Sequence, residues 1–185
     1  METKICIRKQ ILEKRNQMSE TERKDKSKKI IEKLCCLKQY READCVLGFI
    51  GYGSEVETIP FLEQAVLDGK KVYCPISKDD GTMEFYRFTS KEALQSGYKN
   101  IPEPLKTAEK FKKEKGKVFL LMPGVVFDKK RHRIGYGKGF YDRFLDSFVP
   151  DFTVAVCFAD QILEEIPTEE HDVIPDRIIT ESIEY

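Results

Sequence analysis

The chain has 185 residues, of which 41% are apolar, with 12 Phe and 8 Tyr, enough for one sizeable core and too few residues for a multidomain machine. Lys and Arg total 32 and Asp and Glu total 32, so there is no net basic footprint for nucleic acid or an anionic membrane. The longest apolar runs, Val118 to Met122 and Val154 to Phe158, are far short of a membrane span, and METKICIRKQ lacks the apolar stretch of a signal peptide. A soluble cytoplasmic protein of one domain, residues 1–185, is expected.

The first element is a short helix over Lys4 to Arg15, with Ile5, Ile7, Ile11 and Leu12 among basic residues and Lys4, Arg8 and Arg15 on its other face. Spacing alone makes that basic face a solvated one. Ser19 and Glu22 have the form of a capping box, and Ile30, Ile31, Leu34 and Leu37 then predict a helix from Glu20 to Leu37. Cys45 to Ile50 reads as a strand buried on both faces, ending in the loop Gly51 to Glu57. Thr58 is expected to cap the next helix, with Pro60 in its first turn, a stripe of Ile59, Leu62, Ala65 and Val66, and Gly69 at its end. Lys71 to Ile76 follows as a strand, which completes a parallel βαβ unit.

Asp80-Gly81 marks a turn into a more exposed strand, Met83 to Phe88, and the charged stretch Lys106 to Lys117 reads as a surface connection. Val118 to Met122 restarts the core, stopped by Pro123-Gly124; a helix from Phe140 to Phe148 and strands at Phe152 to Phe158 and Asp176 to Thr180 complete the chain. This alternation predicts an α/β fold of three layers, a mostly parallel sheet flanked by helices, with ligands at the carboxyl ends of the strands. The six cysteines form no CxxC pair and read mostly as small buried hydrophobes. His132 and His171 have no evident catalytic partner in the sequence and read as surface residues.

The segment Arg133-Ile134-Gly135-Tyr136-Gly137-Lys138-Gly139-Phe140-Tyr141-Asp142 carries the strongest chemical signal. Three glycines at alternate positions just before a helix expose backbone N–H groups, and the helix N-terminus adds partial positive charge, which suits a phosphate. From Asp128 to Asp142 five basic residues face two acidic ones, a local charge of +3 in a neutral chain. Neither the GxxxxGK[ST] phosphate loop nor the GxGxxG dinucleotide fingerprint is present. Asp142 lies in the first turn of that helix, where a carboxylate suits the helix dipole and is also what magnesium takes beside phosphates. Spacing does not separate Asp176 from Asp172 as a second carboxylate, nor Glu55 from Glu57 as the residue that reaches a ligand from the Gly51 loop.

Together these residues resemble the 5-formyltetrahydrofolate cyclo-ligase family, also called 5,10-methenyltetrahydrofolate synthetases. The resemblance rests on Lys4 and Arg8, the YGSEVET segment from Tyr52 to Thr58, Met122-Pro123-Gly124 with Phe127-Asp128, Arg133 to Asp142, and Asp176, in the family's order over nearly the whole chain; Lys106 to Lys117 carries no family pattern. It implies conversion of 5-formyltetrahydrofolate to 5,10-methenyltetrahydrofolate with ATP and magnesium, through phosphorylation of the formyl oxygen and attack by the 10-nitrogen. By the same resemblance Lys4, Arg8, Arg133, Ile134, Gly135, Tyr136, Gly137, Lys138, Gly139, Phe140 and Tyr141 hold ATP, and Arg8, Ile50, Glu55 and Tyr136 to Phe140 line the folate site. Asp142 and Asp176 hold magnesium, and Arg8, Lys138 and Asp142 are the catalytic set. A monomer acting on small molecules is implied, with no nucleic-acid partner. Phe140 stands where many relatives have Tyr, and Lys138 where some have Gly. Two rivals remain at this stage: a protein that keeps the pockets for binding alone, and a kinase or sugar-phosphate enzyme on a similar sheet.

Overall fold

The structure, a computed structural model, describes residues 3–78, 80–97, 100–169 and 172–185. His171 lies outside the described residues. Helix α1 (Lys4–Asn16) and helix α2 (Glu20–Cys36) open the chain, and Ser19 accepts the Glu22 N–H at 3.2 Å as its sequence position requires. A short helix α3 (Lys38–Glu42) leads into strand β1 (Cys45–Leu47), helix α4 (Ile59–Leu67) and strand β2 (Lys71–Ser77), which pairs parallel to β1. Strand β3 (Met83–Arg87) returns antiparallel as one edge. A small ribbon, β4 (Gln95–Ser96) with β5 (Pro102–Glu103), precedes the central strand β6 (Val118–Met122). Next come β7 (Val126–Asp128), β8 (Arg133–Ile134), helix α5 (Phe140–Ser147), β9 (Phe152–Val156), β10 (Ile162–Leu163) and β11 (Arg177–Ile179).

The main sheet runs β11-β9-β6-β1-β2-β3, with only β3 antiparallel. All five residues of β6 are buried because both of its faces are covered. Phe119 and Leu121 point to the side of α2, α3 and α4, where Ile30, Leu34, Tyr40 and Phe61 pack. Leu120 and Met122 point the other way, to Phe140, Phe144 and Leu145 of α5. The expected three-layer α/β arrangement therefore follows from period-two alternation within an unbroken apolar run. Among the described residues no helix is long and apolar enough to cross a membrane.

Several local expectations are corrected. Strand β1 stops at Leu47 rather than Ile50, because the Thr58 hydroxyl takes over the chain beyond it, donating to the Phe49 carbonyl at 2.6 Å and accepting the Gly51 N–H at 2.9 Å. For the same reason Thr58 makes no side-chain cap for α4; it staples the loop after β1 instead. The charged stretch after Lys106 is more than a connection: Arg87 N–H donates to the Glu109 carbonyl and Phe111 N–H to that of Phe85, each at 2.8 Å, which covers the open edge of β3. Of the six cysteines only Cys45, Cys74 and Cys157 are buried; Cys6 and Cys36 are exposed on helices.

A second, three-stranded sheet, β10-β7-β8, sits beside the first and supports the glycine loop. Ile7 and Ile11, one turn apart on α1, bury against Val125, Val126, Ile134 and Ile166 of this unit. Each such burial contributes up to about 1.5–3 kcal/mol, enough to anchor the helix. That anchorage turns Lys4, Arg8 and Arg15 inward toward the loop.

Candidate active site

The turn between β7 and β8 is held by Asp128, a fully buried carboxylate that accepts the N–H groups of Lys130 and His132 at 2.9 Å each. Its other oxygen meets His132 Nδ1 at 2.8 Å, so His132 has an aspartate partner that the sequence did not reveal. The contact belongs to the turn. Before β7, a Cβ on Gly124 would stand 2.2 Å from the Phe127 ring, so the MPG-x-x-FD spacing is a packing requirement. The buried Gln161 amide then donates to the carbonyls of Gly124 and Val125 at 3.2 and 2.9 Å and fixes the segment.

Beyond β8 the chain runs through Gly135 to Gly139 into α5. Gly137 and Gly139 have φ of 87° and 62°, the left-handed region that glycine adopts without strain. Arg8 Nε donates to the Gly135 carbonyl at 2.7 Å, and its guanidinium lies against Gly137. Arg143, one turn into α5, donates to the carbonyls of Gly81 and Lys138 at 2.5 Å each and braces the end of the loop.

These elements enclose a cavity of about 470 Å³ beside Pro123, the residue that follows β6. It therefore lies at the carboxyl edge of the sheet, where the topology places ligands. Among the described residues five cations line it, Lys4, Arg8, Arg133, Lys138 and Arg143, together with four acids, Asp142, Asp146, Glu169 and Asp172. The local charge counted from the sequence is redistributed here. Lys129 and Lys130 pair with Glu164 and Glu165, and Arg131 bonds to the Asp176 carbonyl, so α1 supplies the cations that these do not. Arg133 donates to Asp142 at 2.7 Å, and Lys4 pairs with Asp172 at 2.7 Å and Glu169 at 3.0 Å.

The resemblance-derived residues divide into groups. Lys4, Arg8, Arg133, Ile134, Gly135, Tyr136, Gly137, Lys138, Gly139, Phe140, Tyr141 and Asp142 all line the cavity. Glu55 stands next to it: one oxygen accepts the Tyr136 hydroxyl at 2.5 Å and the other accepts the Tyr52 N–H at 2.9 Å. Close packing withdraws this carboxyl from water and pushes its pKa above the usual 4.5, against the pull of those hydrogen bonds and of Arg15. Ile50 is buried in the main core and does not line the cavity. Asp176 is likewise outside it; its carboxylate accepts the N–H and hydroxyl of Thr153 at 2.7 Å each, tying the start of β11 to β9. Glu57 bonds Arg23 at 3.2 Å. Of the two aspartates that spacing left open, Asp172 is the one at the cavity.

Arg15 departs most from the sequence reading. It is 6% exposed, not solvated, and donates to Ser54 at 3.0 Å and to the Tyr136 hydroxyl at 2.7 Å. Its helical register with Lys4 and Arg8 is visible in the sequence but does not say what the face meets, whereas the four-residue step from Asp142 to Asp146 was a usable signal for the second acid. Among the described residues no three His, Cys, Asp or Glu side chains gather as a metal cage.

Fold and cavity together define an α/β protein with a cation-lined cleft at the carboxyl edge of its sheet. A profile of the 5-formyltetrahydrofolate cyclo-ligase family matches residues 1–181. The mouse 5-formyltetrahydrofolate cyclo-ligase is 28% identical over 186 residues, covering 95% of this chain and 92% of the mouse protein. That of Escherichia coli K12 is 31% identical over 144 residues, covering 76% and 79%. The NMR structure of Aquifex aeolicus 5,10-methenyltetrahydrofolate synthetase superimposes with a TM-score of 0.84 at 31% identity, covering 98% of this chain and 91% of that one. The chain belongs to the 5-formyltetrahydrofolate cyclo-ligase family.

Proposed function

We propose that this protein, as a cytoplasmic monomer of one domain, converts 5-formyltetrahydrofolate to 5,10-methenyltetrahydrofolate at the expense of ATP, releasing ADP and phosphate. The observation that carries this reading is the gathering of the family's motif residues around one cation-lined cavity at a helix N-terminus. Arg8, Arg133 and Lys138 face the phosphates, and the N–H groups of the Gly135 to Gly139 loop and the dipole of α5 add to their field. The folate lies toward Glu55 and Tyr136, with Arg8 between the two ligands and Ile50 behind them in the core.

Phosphoryl transfer asks for positioning and charge neutralisation rather than a protein nucleophile. The formyl oxygen bonds to the γ-phosphorus while ADP leaves with the electron pair of the broken bond. The 10-nitrogen then attacks the activated carbon, loses its proton, and phosphate departs.

The donor set suits magnesium. Asp142 and Asp146, one helical turn apart at the cavity, offer hard oxygen donors of the kind the ion combines with phosphate oxygens and water, whereas Asp176 does not line the cavity. When bound, magnesium neutralises phosphate charge and orients the transferred group. The test is purified protein with 5-formyltetrahydrofolate, ATP and magnesium, following methenyl absorbance together with ADP and phosphate. Equal amounts of the three products, dependent on ATP and magnesium, are expected. No product from folded protein that binds ATP overturns the reading in favour of a binding-only role.

A further inference from the structure

Two polar atoms beside the cavity are buried without a hydrogen-bond partner among the described residues: Nε of Arg133 and the hydroxyl of Tyr141. Their residues are 9% and 8% exposed, and both line the cavity. The Arg133 guanidinium carbon stands 5.9 Å from the centre of the Tyr141 ring, so the two orphans share one neighbourhood. Arg133 can only donate, and its other nitrogens are engaged with Asp142 and the Pro123 carbonyl. Burial holds the Tyr141 phenol well above its ordinary range, with Cys74 and Glu55 adding to the effect against Arg133, so it keeps its proton.

Packing does not account for the hydroxyl. The Tyr141 ring lies in the core layer that also takes Phe140, Phe144 and Phe148, and a phenylalanine would fill the same space. A buried donor without a partner costs free energy, and such atoms persist where a ligand or a reaction repays the cost. Tyr141 directly follows the stretch Tyr136 to Phe140 that the resemblance gives to both ATP and folate, and it lines the same cavity.

We propose that the Tyr141 hydroxyl and Arg133 Nε donate to a non-bridging oxygen of the phosphoryl group in transit, which makes Tyr141 a catalytic residue. This rests on the cyclo-ligase reading above. As the bond from formyl oxygen to γ-phosphorus forms and the bond to the ADP oxygen breaks, the negative charge on the non-bridging oxygens meets two fixed donors. No proton needs to move.

The experiment is Tyr141→Phe, assayed with ATP and 5-formyltetrahydrofolate in parallel with wild type and melted alongside it. Expected are a kcat lower by about a hundredfold, the size of effect typical of one lost transition-state donor, KM values for both substrates within about twofold, and an unchanged or higher Tm. A wild-type protein with no turnover overturns the cyclo-ligase reading itself. An active wild type with a Tyr141→Phe kcat within about twofold overturns only this inference. So does a loss confined to KM, which would mark a ground-state contact, or a Tm lowered by more than about 4 °C, which would mark a structural hydrogen bond.

Discussion

At Asp142 two demands coincide, since the helix dipole favours a carboxylate in the first turn of α5 and Arg133 already holds one of its oxygens at 2.7 Å. Asp142→Asn keeps an acceptor for Arg133 and loses the charge. Turnover should fall at least about tenfold while Tm moves by less than about 4 °C, since Asn preserves the neighbouring bond. Activity within about twofold of wild type, about 0.4 kcal/mol of barrier, would remove Asp142 from the chemistry. Glu55 makes a different prediction, through pH. Because its folded pKa is raised above 4.5, the native state binds more protons than the unfolded one over the interval between them. Stability from this group is therefore full below 4.5 and is lost as pH rises through the folded value. Glu55→Gln lacks that loss, so the difference in Tm, Glu55→Gln minus wild type, should become more positive between pH 4 and pH 7. A difference that does not change with pH would refute the raised pKa.

Among the elements, α1 is where sequence and structure diverge most. Its periodicity predicts the helix and its buried Ile7 and Ile11, but a basic helical face looks the same whether it meets water or a cavity. Long-range contacts separate the two cases, among them those of Arg8 with Gly135 and of Arg15 with Tyr136, both of which span more than a hundred residues. The short strands β7, β8 and β10 were illegible for another reason: two or three residues are too few to show a period. The glycine loop and its helix, by contrast, were legible because Gly137 and Gly139 need φ values other residues resist. If α1 serves the cavity, Lys4→Ala combined with Arg8→Ala should raise the KM for ATP about tenfold or more, while circular dichroism stays unchanged. Unaltered ATP dependence would return the helix to a purely structural role.

Across the whole molecule, the main sheet brings the loops after β1 and β6 to one edge, and the small sheet carries the glycine loop and α1 to meet them. The apolar runs of the central strands made the α/β layering readable, since strands covered on both faces leave that trace in a sequence. The exchange of partners at the site, with Lys129 and Lys130 turned away and α1 cations turned in, depends on tertiary packing and leaves no local pattern. What this assembly is proposed to accomplish is transfer of the γ-phosphoryl group to the formyl oxygen. The most direct measurement is the fate of that oxygen: 5-formyltetrahydrofolate labelled with heavy oxygen in the formyl group is turned over with unlabelled ATP, and the released phosphate is weighed by mass spectrometry. One heavy oxygen in each phosphate formed with methenyl product is the predicted result. Unlabelled phosphate accompanying that product would contradict the account, because ATP would then have been hydrolysed without activating the formyl group.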